Sequence, residues 1–239
     1  MKVKLLLPKQ HGAWAMLILP FILGMAIGAP SWLHIPLFIA WLMLYLATYP
    51  LIMVFKNKQK ELHLKWVIRY SIIALFGLVV PVFLVPELIF FGLAMFPFFL
   101  INIYYGKRNN DRALLNDFSA IAAFGIGGVA SYYVGQGELD QVAIFLFLFT
   151  IMFFIGSTFF VKTLIREKKN PAFRWISWGY HVGVILFVIA IGYPFLALAY
   201  LPSVIRAIWC YGKTMSPKQI GILEIFNSVY FLGIMVIVL

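Results

Sequence analysis

Hydrophobic residues in this chain form long continuous runs that are separated by short polar segments. Nine such runs are 18 to 21 residues long. A bilayer hydrocarbon core about 30 Å thick requires roughly 17–25 apolar residues of helix, and strand-like alternation, which would indicate a barrel, is absent. The pattern therefore predicts nine transmembrane helices. The predicted spans are 12–29, 35–55, 67–85, 88–105, 118–135, 142–161, 176–193, 194–211 and 219–239.

The helix boundary least marked by polar residues lies within 176–211, where no polar loop interrupts 36 residues. A single helix of that length would be about 54 Å long, too long for one crossing. Pro194, which follows Gly192 and Tyr193, is the natural break. We therefore count two helices here.

Composition agrees with a membrane protein. The 239 residues are 64% hydrophobic and 11% charged, whereas a soluble domain is usually about half apolar and a quarter charged. The single cysteine, Cys210, excludes a disulfide scaffold. We expect an all-α, polytopic membrane helix bundle in which residues 1–239 form a single integral membrane domain. Because the longest loop is short, any chemistry must occur in or at the membrane.

The basic residues predict the orientation. If the N-terminus is cytoplasmic, all 19 Lys and Arg fall in or next to cytoplasmic segments, as the excess of positive charge inside requires. Nine helices then place the C-terminus outside. The net charge of +11 is explained by basic loops facing an anionic leaflet, so nucleic acid is not needed as a partner. We expect a multi-pass protein of the bacterial plasma membrane.

The N-terminus allows one alternative. Lys2, Lys4, an apolar stretch and "AIGA" before Pro30 resemble a cleavable signal peptide. Residues 12–29 are nevertheless long enough to span, and their removal would leave eight helices. We therefore expect the first helix to be retained.

Glycine spacing predicts close helix packing. Gly24 with Gly28, and Gly179 with Gly183, have the small-xxx-small spacing that lets helices approach. The "GIGG" stretch at 125–128 lies within a predicted helix, so we interpret it as a packing surface. Prolines inside several spans should kink them.

Polar residues near the span ends are concentrated on the predicted cytoplasmic side. They indicate either a polar pocket open to the cytoplasm or ordinary helix ends whose side chains reach the headgroups. The candidate polar-cavity residues are His11, Asn102, Asn116, Asp117, His181, Arg206 and Glu224.

Three of these groups have more specific interpretations. Arg206 and Glu224 lie at similar depths, so we expect an ion pair between antiparallel neighbours, structural first and substrate-contacting second. Asp117, with Asn116, is expected to cap the fifth helix. The four histidines show no metal-binding spacing, so hydrogen-bonded interior histidines are favoured over a metal or haem site.

Three segments together carry a family resemblance: "PKQHGAWAMLILPFILG" near the start, "RALLNDFSAIAAFG" at 112–125 and "GSTFFVKTLIRE" at 156–167. They resemble the YwiC-like family of bacterial membrane proteins. The nine-helix layout is similar to that of the UbiA superfamily of intramembrane prenyltransferases. That resemblance implies a ring of helices around a central cavity open to the cytoplasm and the lipid.

The chain departs from the UbiA pattern where those enzymes carry aspartate-rich motifs. The corresponding stretches, "FKNKQKELHLKW" and "VKTLIREKKNPAFRW", each contain one carboxylate, Glu61 and Glu167, among basic residues. Magnesium prefers clustered oxygen ligands, so we expect no magnesium and no other cofactor. Direct recognition of an anionic lipid or isoprenoid by basic side chains is the alternative. The candidate anion-binding residues are Lys56, Arg112, Lys162 and Arg166.

Three functional classes remain open. The first is a UbiA-like protein that binds or modifies an anionic amphiphile; whether it is catalytic is undecided. The second is a small-solute permease, although no inverted repeat is visible and the outer half has few polar residues. The third is a noncatalytic partner or assembly factor of a membrane complex, which stable copurification in mild detergent would identify.

Overall fold

The protein is all-helical. The computed structural model describes Leu6 and residues 11–239, with His11 described by its backbone alone. These residues form nine α-helices and contain no β-strand. Seven helices are long and apolar enough to cross a membrane. The helices are α1 (His11–Ile27), α2 (His34–Phe55), α3 (Lys60–Leu84), α4 (Leu88–Lys107), α5 (Leu114–Gln136), α6 (Gln141–Ile165), α7 (Pro171–Ala190), α8 (Ala197–Trp209) and α9 (Pro217–Val238).

The break predicted at Pro194 is confirmed. Helix α7 ends at Ala190, Gly192 adopts a positive φ of 90°, and a 3₁₀ turn over Pro194–Leu196 leads into α8. Glycine suits this position because it adopts positive φ without a steric penalty. Helix α8 has only 13 residues, or about 20 Å of helix, and is therefore shorter than the hydrocarbon core. Helix α1, with 17 residues, lies at the lower limit for a span.

Two helices begin at least five residues earlier than predicted. Helix α3 begins at Lys60 rather than 67, and α7 begins at Pro171 rather than 176. The α7 start is set by Asn170, whose side-chain oxygen accepts a hydrogen bond from the Ala172 N–H at 3.2 Å. A hydropathy run ends at the first charges, whereas the helix continues to its cap.

The chain divides into two compact units, the first up to Ala143 and the second Ile144–Leu239. In the first unit α1 packs on α5, α2 on α3, and α4 on α5. A Cβ added at Gly24 would lie 2.0 Å from the Gly128 carbonyl oxygen. The α1 and α5 backbones are therefore in contact, which confirms the packing role predicted for Gly24, Gly28 and the "GIGG" stretch.

The same prediction is wrong for Gly179 and Gly183. A Cβ added at either position meets no described atom within 4 Å. The spacing identifies a small face on α7, but no described helix closes on that face. The prolines predicted inside spans do lie inside helices, for example Pro50 in α2 and Pro202 in α8.

The second unit has an aromatic centre. Phe153 of α6 stacks on Phe231 of α9 with ring centroids 4.1 Å apart, and the Tyr200 ring of α8 meets Phe231 edge-on at 5.4 Å. All three rings are buried. We call this group the aromatic layer. It separates the polar side chains described below from the far end of the unit.

Candidate functional site

A buried ion pair lies near one end of the second unit. Arg206 of α8 pairs with Glu224 of α9, and their side chains are 7% and 12% exposed. The Arg206 guanidinium also donates to the Ser157 hydroxyl of α6 at 3.1 Å and lies 4.3 Å from the centroid of the Phe160 ring. The predicted ion pair is confirmed. Its charges are compensated as buried charges must be.

The next polar pair lies one helical turn deeper. Ser203 of α8 and Asn227 of α9 are both buried, and the Asn227 amide nitrogen donates to the Ser203 hydroxyl at 2.9 Å. Ser203 precedes Arg206 by three residues and Asn227 follows Glu224 by three. The two pairs therefore lie about one turn apart on the same faces of α8 and α9. We call these two pairs, together with Ser157, the polar ladder. It ends at the aromatic layer.

The described histidine side chains are hydrogen-bonded inside the protein, as predicted. His181 Nδ1 binds the Ser177 carbonyl at 2.7 Å, and His34 Nε2 binds the Ser131 carbonyl at 2.8 Å. His63 Nδ1 binds the Gln59 carbonyl at 3.1 Å. The His11 side chain lies outside the described part of the structure.

A basic pocket opens at the end of the second unit formed by the α6–α7 and α8–α9 loops. Its volume is about 100 Å³. The residues that line this basic pocket are Thr163, Leu164, Lys168, Tyr211, Gly212 and Lys213. Gly212 has a φ of 79°, so the chain turns sharply after α8. Lys213 Nζ lies 3.2 Å from the centroid of the Trp209 ring.

Aromatic side chains surround this end of the unit. The Arg174 guanidinium lies 4.7 Å from the Trp175 ring centroid, 5.2 Å from that of Trp178 and 4.9 Å from that of Tyr211. Trp175 and Trp209 are 61% and 65% exposed. Exposed tryptophans are typical of the membrane–water interface. We therefore expect the basic pocket to lie at headgroup level.

The four predicted anion-binding residues fall in different units. Lys162 is buried and Arg166 is exposed, and the pocket-lining Thr163 and Leu164 lie between them in the chain. Lys56 is half-buried immediately after α2, and Arg112 is exposed in the segment before α5. That all four line one cavity remains a prediction. Lys168 and Lys213, which do line a pocket, were missed.

The remaining polar candidates belong to the first unit. The Asn102 amide of α4 donates to the Ser119 hydroxyl of α5 at 3.0 Å, so Asn102 links two helices. The N-cap position of α5 is Ala113, so Asn116 and Asp117 lie inside the first turn and not at the cap position itself. Asn116 instead donates to the Asp111 carbonyl at 2.9 Å. Asp117 lies in the first turn, where the helix dipole favours an anion.

Glu61 and Glu167 are the carboxylates of the two stretches that correspond to the aspartate-rich motifs of UbiA enzymes. Among the described residues, no group of three His, Cys, Asp or Glu side chains is placed to hold a metal ion. Glu61 lies in the first turn of α3. Glu167 accepts a hydrogen bond from the Asn170 amide at 3.0 Å. The expectation that the protein uses no magnesium remains a prediction.

Comparisons with known proteins identify the family. Residues 7–132 match the family model described as YwiC-like protein. The chain is 47% identical over 233 residues to "Uncharacterized protein YwiC" of Bacillus subtilis, covering 98% of each chain. It is 36% identical over 235 residues to an "Uncharacterized protein" of Haemophilus influenzae, covering 98% of this chain and 99% of the other. No solved structure matches, so the UbiA-like arrangement remains a prediction. The chain belongs to the YwiC-like family.

Proposed function

We propose that the protein binds an anionic amphiphile, a lipid or an isoprenoid, whose headgroup occupies the basic pocket. The observation that carries the proposal is that Lys168 and Lys213 line one pocket, which we expect to lie at headgroup level. Lysine ammonium groups form charge-assisted hydrogen bonds with phosphate or carboxylate oxygens. Recognition by these side chains requires no metal ion.

The size of the basic pocket supports a headgroup as the ligand. A volume of about 100 Å³ exceeds the space that one water molecule needs. It is smaller than the roughly 300–1,000 Å³ of pockets that enclose a whole drug-sized molecule. We infer that only the charged group enters and that the apolar part remains outside.

Apolar surface is available for that outer part. Ile205, Ile208 and Trp209 of α8 are 57%, 49% and 65% exposed, and Trp209 contacts Lys213. An acyl or isoprenoid chain lying against this face would keep its contact with the bilayer. A free phosphate ion would gain nothing from it, so the surface favours an amphiphile.

The basic loops favour the cytoplasmic leaflet of a bacterial plasma membrane as the source of the ligand. In the proposed orientation the N-terminus is cytoplasmic and the C-terminus is outside. Lys162 and Arg166, which flank the pocket wall in sequence, would add positive charge around the headgroup. Lys56 and Arg112, in the first unit, remain predicted anion-binding residues.

Native mass spectrometry of the protein extracted from nanodiscs tests the proposal. Discs would contain equal amounts of phosphatidylglycerol and phosphatidylcholine, and the ratio of the two retained lipids would be measured. We expect selective retention of phosphatidylglycerol, which should fall about tenfold or more in Lys168→Ala/Lys213→Ala, since a hydrogen bond to a charged group contributes about 1.5–3 kcal/mol.

The matched control is Lys218→Ala, which removes an exposed charge of α9 in the same unit but outside the pocket lining. It should leave the retention ratio unchanged. Equal retention of both lipids by the wild-type protein would overturn the proposal. An equal loss in the control and in the double variant would mean that net charge, and not the pocket, selects the lipid.

A further inference from the structure

A second, much smaller cavity lies inside the second unit among α6, α7 and α8. Its volume is about 10 Å³, and Gly156, His181 and Ser203 are among its lining residues. A volume near this value accommodates about one water molecule. The cavity is separate from the basic pocket, with which it shares no lining residue.

His181 determines the chemistry of this cavity. The residue is 4% exposed, and its Nδ1 lies 2.7 Å from the Ser177 carbonyl oxygen. A carbonyl only accepts hydrogen bonds, so Nδ1 must carry a proton. In the neutral ring Nε2 is then an acceptor. Nε2 is buried and has no hydrogen-bond partner among the described residues. A small hydrogen-bond donor in the cavity would satisfy this acceptor.

The other walls offer complementary polar groups. Ser203 accepts a hydrogen bond from the Asn227 amide nitrogen at 2.9 Å and donates one to the Asn227 amide oxygen at 3.3 Å, so its hydroxyl oxygen keeps a second lone pair that can accept from the cavity. Tyr180 and Tyr200 also line the cavity, and their hydroxyls donate to the carbonyls of Met152 and Phe149 at 3.0 Å and 2.8 Å. A water bound here would have the two to four polar partners that buried waters require.

Gly156 keeps the cavity open. A Cβ built at this position would lie 3.2 Å from His181 Nε2 and 3.4 Å from Tyr180 Cε1. Any larger side chain would therefore occupy the space next to the unpartnered nitrogen. Gly156, which has no side chain, therefore leaves room for a donor next to the acceptor nitrogen of His181.

We propose that this cavity is a binding site for one ordered water molecule, which donates a hydrogen bond to His181 Nε2. The water lies beside Ser203 and so extends the polar ladder from Arg206 and Ser157 to His181. This inference does not depend on the proposed lipid ligand.

The test is solid-state NMR of the protein in lipid bilayers, with magnetisation transferred from water protons to labelled histidine nitrogens. The Tyr180–His181 pair is the only Tyr-His step in the sequence. Labelling tyrosine carbonyls with ¹³C and histidine with ¹⁵N therefore assigns His181 without a mutation. We expect an unprotonated Nε2 that receives magnetisation from water on a millisecond timescale.

Two variants place the water in this cavity. Gly156→Ala should abolish the transfer to Nε2, while Gly183→Ala, whose added Cβ meets no described atom within 4 Å, should retain it. Absence of transfer in the wild-type protein would overturn the proposal, and this measurement needs no variant to fold. Full transfer in a folded Gly156→Ala protein would overturn it as well.

Discussion

Breaking the Arg206–Glu224 pair should destabilise the protein more than replacing both partners. Glu224→Leu leaves a guanidinium that is 7% exposed, and its remaining compensation among the described residues is the Ser157 hydroxyl and the Phe160 ring. Loss of one partner of a buried ion pair costs about 3–5 kcal/mol, whereas replacing both with apolar residues is often neutral or stabilising. We therefore expect Arg206→Met/Glu224→Leu to be close to wild type in stability.

The magnitude is large enough to measure. A cost of about 3–5 kcal/mol raises the equilibrium constant for unfolding about 100- to 4,000-fold. The single cysteine, Cys210, is fully buried at the end of α8, so its reaction with a fluorogenic maleimide reports opening of this unit. The assay is the rate of that reaction in detergent over a titration of sodium dodecyl sulfate.

The control is Glu138→Leu, which removes an exposed carboxylate between α5 and α6. It should change stability by no more than about 0.5 kcal/mol. The reasoning would be refuted if Glu224→Leu resembled this control, or if the double variant were as unstable as the single one. In the latter case the loss would come from the shape of the side chains and not from an uncompensated charge.

Three further predictions concern individual contacts. Gly24→Ala should cost about 1–3 kcal/mol in urea unfolding followed by tryptophan fluorescence, because its Cβ meets the Gly128 carbonyl; Gly92→Ala, with no described atom within 4 Å, should be neutral. A hydrogen bond from the Ala143 N–H and a weaker one from the Tyr132 hydroxyl lower the pKa of the Asp140 carboxyl group. The stability that ionised Asp140 contributes should therefore be present above its unfolded pKa of about 3.9 and be lost as pH falls through its lower folded pKa. Asp140→Asn should flatten this part of a profile of thermal stability against pH. Ser216→Ala should remove the capping box of α9 and cost about 0.5–2 kcal/mol, with faster amide hydrogen exchange in its first turn.

Local signals in the sequence were sufficient for much of the fold. The break between α7 and α8 was predictable because Gly192 and Pro194 act on their own backbone. The Gly24–Gly128 contact was predictable only in part. Spacing identifies a small helix face, but it does not identify the facing helix, and for this reason the same argument failed at Gly179 and Gly183.

One contact of the site, the ion pair, was predictable because it depends only on how far each residue lies from the end of its helix. Arg206 and Glu224 lie at matching distances from the loop that joins two antiparallel helices, so their pairing followed from counting residues. The basic pocket did not follow from counting, because Lys168 and Lys213 are 45 residues apart and meet through the turn at Gly212. The basic Lys-Lys step after α6 and the Gly-Lys step after α8 were the available signals.

The position of the aromatic layer bears on which functional class is favoured. The polar ladder follows α8 and α9 from Arg206 only as far as Ser203 and Asn227, and the next turn presents the stacked rings of Phe153 and Phe231. A hydrated path that continued along the polar ladder would have to pass these rings, which are 2% and 0% exposed. Permeation through this unit would therefore require its core to open, whereas binding a headgroup in the basic pocket leaves that core packed. This difference favours the amphiphile over the small solute, and it predicts that Phe153→Ala weakens folding without weakening selective lipid retention.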